Sequence, residues 1–244
     1  MKSVSSLLLS AAVTGTAMAI TPPTIAQETS AFSGNAALTT DYRFRGISQN
    51  NARPAIQGGF DWENGPLSFG TWASNVSWLS DIGGISNSME WDFYGGYTAK
   101  LGGQDIDLGL IYYYYPGKFP AGLTSPNTAE FSIGTSVNAL ALSYSISMTN
   151  LFGFDDSKGS GYLDVSYDMP VKGFDIGFHL GYQDIRNNDD CPYADWSISG
   201  SKSVHGFDVS LAYIDTNAKD ACWVNGYNRN LGKGTLVLSI GKTL

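Results

Sequence analysis

Charged side chains are scarce in this chain, at 15% of its residues, and histidine and cysteine are scarcer still, with two of each. Beyond the N-terminus no apolar run approaches the 18 or so residues that a spanning helix needs, which excludes a bundle of membrane helices. Two isolated cysteines give no support to a structural zinc site, which usually takes four ligands. The chain has no glycine-rich phosphate loop, zinc signature or nucleophile elbow, so no cofactor is implied. No repeat of 20–50 residues is visible beyond a hairpin rhythm. Basic residues are the minority charge, with 14 Lys and Arg against 22 Asp and Glu. That balance argues against a nucleic-acid partner, whose phosphates need a basic surface.

What is present is glycine, at 29 residues, tyrosine, at 14, and alternation. The N-terminus reads as an export signal: Lys2 is the positive region, Leu7 to Val13 the apolar stretch, and Ala17-Met18-Ala19 a small-x-small signal with cleavage after Ala19. The expected organisation is a signal peptide over 1–19 and one domain over 20–244. The exported chain keeps 13 basic and 22 acidic side chains. Cys191 and Cys222 then stand in an oxidising compartment, where an even pair is most simply a disulfide.

From about residue 32 the chain alternates with period two, the mark of strands with two unlike faces. In the first strand Leu38, Thr40, Tyr42 and Phe44 are assigned to one face, and Thr39, Asp41, Arg43 and Arg45 to the other. The second, over about 54–62, sets Ile56, Phe60 and Trp62 against Gln57 and Asp61. The third, over about 66–78, is less regular and puts Trp72 on its Ser/Gly side. In the fourth, Met89, Trp91, Phe93 and Tyr97 oppose Glu90, Asp92 and Tyr94. Later segments repeat the pattern and place Glu130, Asp164, His179 and Asp208 on the polar face. Twelve segments of about ten residues result, the length that a tilted strand needs to cross a bilayer. Connections alternate short (near 63–66, 101–103, 138–140, 170–173 and 204–206) and long (near 46–53, 79–88, 116–127, 150–160, 185–194 and 215–232). This is the rhythm of an up-and-down antiparallel transmembrane β-barrel with tight periplasmic turns. Cys191 and Cys222 fall in the last two long loops, on the same side.

Alternation alone does not say which face meets lipid. The polar face carries many charges, and Arg or Lys at mid-depth on a lipid face costs about 2–4 kcal/mol. Eight strands roughly fill a barrel with their own side chains, and twelve leave space. Both points turn the apolar face outward.

Particular blocks resemble the TorF family of proteobacterial outer-membrane porins. They are Thr40-Asp41-Tyr42-Arg43-Phe44-Arg45-Gly46-Ile47-Ser48-Gln49 with Pro54 to Gly59, Gly70 to Val76, Glu90-Trp91-Asp92, Gly181 to Asp184, Tyr193-Ala194-Asp195-Trp196 and Ala212 to Thr216. The resemblance covers nearly the whole exported chain and implies a bacterial outer-membrane barrel of porin type, without supplying a solute. Leu244 departs from the aromatic final residue usual in that family. Leu236, Leu238, Ile240 and Leu244 still keep the alternation that the barrel-assembly machinery would receive. The expected partners are therefore outer-membrane lipid, that machinery, and small solutes or ions.

The expected bore lining is Asp41, Arg43, Arg45, Asp61, Trp72, Glu90, Asp92, Glu130, Asp164 and His179. The charges among them suit either a charged constriction or a salt-bridge network that fixes the shape of the barrel. Acids outnumber bases, which suggests a weak cation preference. Trp72 suits either a plug or a stacking platform. His179 could be imagined as a general base, but no serine motif accompanies it, and no enzyme is expected. His205 falls in a turn. Trp62, Trp78, Trp91, Tyr112 and Tyr114 suit either a sugar slide or interfacial girdles, and since most lie on the apolar face girdles are the leading expectation. The loop acids Asp155, Asp156, Asp189 and Asp190 match no calcium-loop spacing, so no metal site is expected. Passive passage of small solutes is the leading expectation. An adhesive or structural barrel with a plugged lumen is the alternative, and an outer-membrane enzyme a more remote one.

Overall fold

A computed structural model describes residues 31–244; the expected signal peptide and its expected cleavage after Ala19 lie outside the described residues. Twelve long strands form one closed barrel: β1 (Ala31–Thr39), β4 (Ala55–Asn64), β5 (Leu67–Asn75), β6 (Met89–Leu101), β7 (Gln104–Tyr114), β8 (Thr128–Val137), β9 (Leu140–Ser147), β10 (Gly161–Val171), β11 (Phe174–Gln183), β12 (Tyr193–Val204), β13 (Phe207–Thr216) and β14 (Thr235–Thr243). Two further strands, β2 (Arg43–Phe44) and β3 (Ile47–Ser48), form a separate hairpin within the first loop. Every barrel neighbour is antiparallel and consecutive, and β1 closes the ring on β14, from Asn35 opposite Thr243 to Thr39 opposite Ser239. Closure removes the sheet edges, so every strand has its backbone groups paired on both sides, as lipid requires.

The five tight turns fall where the alternation places them. Asn138, Lys172 with Gly173, His205 with Gly206, and Gly102 with Gly103 all have positive φ, the backbone that primed hairpin turns demand. The outward face is apolar: Ile56, Phe60, Leu180 and Leu236 are each more than half exposed. A water-soluble barrel would bury these residues, so the barrel turns its oily face to lipid. Aromatic pairs ring both ends of this surface. Trp91 lies beside Phe93 and Tyr112 beside Tyr114 near the loop end, while Trp62 contacts Phe32 and Phe69 near the turn end.

The first strand and the third differ from the sequence expectation. β1 ends at Thr39, and residues 40–54 fold back into the bore instead of continuing the wall. Tyr42 and Phe44, expected on the lipid face, are 0% and 7% exposed and lie inside. The alternation survives past Thr39 because the inserted segment is itself a β-ribbon, with its own two faces. β5 ends at Asn75, so Trp78 belongs to the following loop rather than to a girdle. It packs edge-on against Tyr115, with ring centroids 5.5 Å apart.

Candidate functional site: a hairpin across the bore

The inserted hairpin turns at Arg45 and Gly46, both with positive φ, which is the two-residue primed turn that suits a twisted ribbon. Glycine at 46 also allows close approach: a Cβ there would collide with Thr216 and with Asp195 on the barrel wall. The tip therefore lies close against the wall at β12 and β13.

Each side chain of the hairpin has a defined partner. The Arg43 guanidinium donates to Asp41 at 2.6 Å and to the backbone carbonyls of Gly46, Leu231 and Lys233 at 2.9–3.0 Å. Ser48 donates to the second oxygen of Asp41 at 2.6 Å. Asp41 and Arg43 thus brace the hairpin internally and tie it to the last loop; they do not stand free in the bore. Tyr42 packs edge-on against Trp72 and donates to Glu90 at 2.8 Å. Tyr115 donates to the other Glu90 oxygen, also at 2.8 Å. Burial and the nearby Glu90 carboxylate push the Tyr42 phenol well above its ordinary range. Trp72 points inward as the alternation implies, and its partner is the hairpin.

At the tip, Arg45 makes a two-pronged contact with Glu130 on β8, at 3.0 and 2.7 Å, and a third bond to Gln183 on β11 at 2.8 Å. Its guanidinium lies 4.2 Å from the Tyr162 ring centroid. Burial alone would lower the Arg45 pKa, but the Glu130 carboxylate more than offsets it, so the group is held charged. Beyond Tyr162 the network continues. Asp195 receives His179 Nε2 at 2.8 Å and the Tyr162 hydroxyl at 3.1 Å, and His179 Nδ1 lies 3.3 Å from Asp164. Gly181 sits between the two aspartates on neighbouring strands; a side chain there would collide with Tyr162 and Asp195. The partners of His179 are two carboxylates and a phenol, with no serine hydroxyl bonded to it, so a Ser-His-Asp arrangement is not built.

The loops close over the outer side of the hairpin. The Gln49 carbonyl accepts from the backbone of Ser77 and Trp78, and Ser48 N donates to Leu231. Ile47, Tyr193 and Leu231 form a small core with Trp78 and Trp223. Cys191 and Cys222 are joined, with Cα atoms 5.4 Å apart, and link the last two long loops beside Leu151 and Ile185. The disulfide thus fastens the loop that holds Arg43. In the other loops Asp155 accepts from Thr124 and Asp156 from Asn187, and no group of three metal-ligating residues occurs among the described residues.

Below the hairpin the bore changes character. A cavity of about 70 Å³ lies beneath Arg45, lined in part by Tyr94, Ser132, Ser143, Ser145 and Asp164. Asp61 accepts from Tyr94 at 2.5 Å and from Asn35 at 3.3 Å. Asp92, next to Glu90 on the same face, is fully buried, and neither of its oxygens has a hydrogen-bond partner among the described residues. Of the ten residues expected to line the bore, all face the interior. The structure divides them between the hairpin itself, its contacts on the wall, and the space beneath it.

A family model of bacterial proteins of unknown function, Gcw_chp, matches residues 24–244. The chain belongs to the Gcw_chp family. No curated protein matches it in sequence. Among solved structures, it is similar to the outer-membrane protein Omp33 of Acinetobacter baumannii, at 6% identity and TM-score 0.49 over 87% of this chain and 97% of that one. It is also similar to the KdgM porin, at 7% identity and TM-score 0.48 over 88% and 98%. An outer-membrane channel from Pseudomonas putida F1 aligns at 11% identity and TM-score 0.49 over 89% and 96%. None of these likenesses bears on what the Gcw_chp chain carries. Its placement follows from its own surface: a bacterial chain closed into a barrel with an apolar exterior and a polar bore is an outer-membrane protein.

Proposed function

We propose that this Gcw_chp protein is a narrow outer-membrane channel for passive diffusion of ions or small polar solutes, with its bore set by the inserted hairpin and a weak preference for cations. The observation that carries the reading is the polar, incompletely filled interior beneath Arg45, in a barrel four strands wider than one that its own side chains would fill. The resemblance of the Thr40–Gln49 block to TorF porins supports it, since that block is the hairpin. The cation preference rests on charge pairing. Both hairpin arginines are held by carboxylates, whereas Asp61, Asp107, Asp168 and Asp208 have no basic side chain in contact among the described residues. A second reading, a structural barrel with a sealed bore, draws on the same hairpin, whose tip is bonded to the opposite wall. Reconstitution into planar bilayers under a KCl gradient separates the two. Discrete conductance steps with a cation-side reversal potential support the channel; a silent, folded protein supports the sealed barrel; and a chloride preference refutes the proposed selectivity.

A further inference from the structure

The chamber beneath Arg45 has a composition that suits one class of ligand. Ser132 and Ser145 are directly opposite each other across β8 and β9, and Ser143 is directly opposite Asp164 across β9 and β10. These four residues form one inward-facing patch of oxygen atoms. The three serine hydroxyls have no hydrogen-bond partner among the described residues, although the hydroxyls of Tyr94, Tyr113 and Tyr162 around them are all engaged. The charges in the lining are Arg45, Glu130 and Asp164. Arg45 and Glu130 neutralise each other through their two-pronged contact. Asp164 keeps one oxygen that does not face His179.

We infer that this patch is a binding site for a small monovalent cation, which passes through it as the permeating ion. The inference deepens the channel reading above and rests on it for the word permeating, but not for the site itself. Three physical points select the ligand. Volume disfavours a sugar: about 70 Å³ has room for roughly two waters at about 30 Å³ each, enough for a cation with a small part of its hydration shell. Charge disfavours an anion, because Asp164 and Asp195 share the single imidazole of His179, which leaves that cluster with a net negative charge when both carboxyls are ionised. Donor set excludes a tightly held divalent ion, since calcium sites assemble several carboxylates and carbonyls, and here one carboxylate stands among neutral hydroxyls. One negative charge with hydroxyl oxygens gives a field strong enough to attract a monovalent ion and weak enough to release it, as conduction requires.

The test is crystallographic and independent of conductance. The full exported chain is purified in detergent and crystallised in rubidium chloride, and the rubidium anomalous signal is mapped for the native protein, Asp164→Asn and the double variant Ser143→Ala/Ser145→Ala. The expected result is a peak between Ser132, Ser143, Ser145 and Asp164 that is lost in Asp164→Asn and weakened in the serine variant. A folded native protein with no peak there, or a peak that persists in Asp164→Asn, overturns the inference. A peak in a protein that passes no current would leave the site standing and remove the channel reading instead.

Discussion

The two halves of the bore are built on the same alternating strands and behave as different materials. In the half nearest the loops, most buried polar groups have named partners: Arg43 bonds Asp41, Arg45 bonds Glu130, and Tyr42 and Tyr115 both donate to Glu90, while the buried Asp92 beside Glu90 has no hydrogen-bond partner among the described residues. Aromatic rings pack between these pairs, and the loops cover them. In the half nearest the turns, Asp168 and Asp208 have no side-chain partner among the described residues, and serines line the wall beside space. The difference shows how a wide barrel sets its bore. Twelve strands leave a gap that wall side chains do not span, and one inserted ribbon fills half of it. Because buried charge without a partner is costly, both arginines of the filled half are paired with carboxylates, whereas acids of the half nearest the turns stand without basic partners among the described residues.

The largest expected effect is at the hairpin tip. Arg45→Ala strands the Glu130 carboxylate in a buried site and should cost about 3–5 kcal/mol, read as a lower unfolding temperature in detergent. Glu130→Ala should cost as much, and the double variant less than the two together, since it strands no charge. Additive losses would mean that the tip is not a single paired unit. Next is the loop clamp. Cys191 and Cys222 close a loop at a sequence separation of 31, and Cys191→Ser/Cys222→Ser should lose about 3–4 kcal/mol on the chain-entropy account. Dithiol reduction of the native protein should reproduce that loss and leave the double variant unchanged. The smallest effect is in the open half. Asp208→Asn should change stability by no more than about 0.5 kcal/mol, because nothing among the described residues is paired with it. It should still lower the potassium-to-chloride permeability ratio in bilayers. A large loss of stability there would erase the distinction between the halves.

The wall was legible in the sequence because one face of every strand is under the same physical demand. Leu163, Val165 and Tyr167, or Leu236, Leu238 and Ile240, meet lipid at every second position, and period two follows. Gly102-Gly103 and His205-Gly206 mark their turns through the positive φ that primed hairpins require. Which of the charged residues face inward was legible for the same reason. The fate of residues 40–54 was not. Asp41 to Ser48 alternates as a wall strand would, and a ribbon inside the bore and a ribbon in the wall share that period. Two signals were available: Arg-Gly at 45–46, a pair able to form a primed turn, and the concentration of Asp41, Arg43 and Arg45 within five residues of a supposed wall strand. The partners of Arg45 lie 85 and 138 residues away, and no local pattern encodes pairing at that range.

The account depends most on residues 41–52 narrowing the bore. Replacing them with a short Gly/Asn turn between Thr40 and Arg53, with the barrel otherwise intact, and comparing single-channel conductance with the native protein tests it directly. The prediction is a conductance several-fold higher than native with cation preference retained from the open half. Equal conductance in the two proteins, both folded, would contradict it.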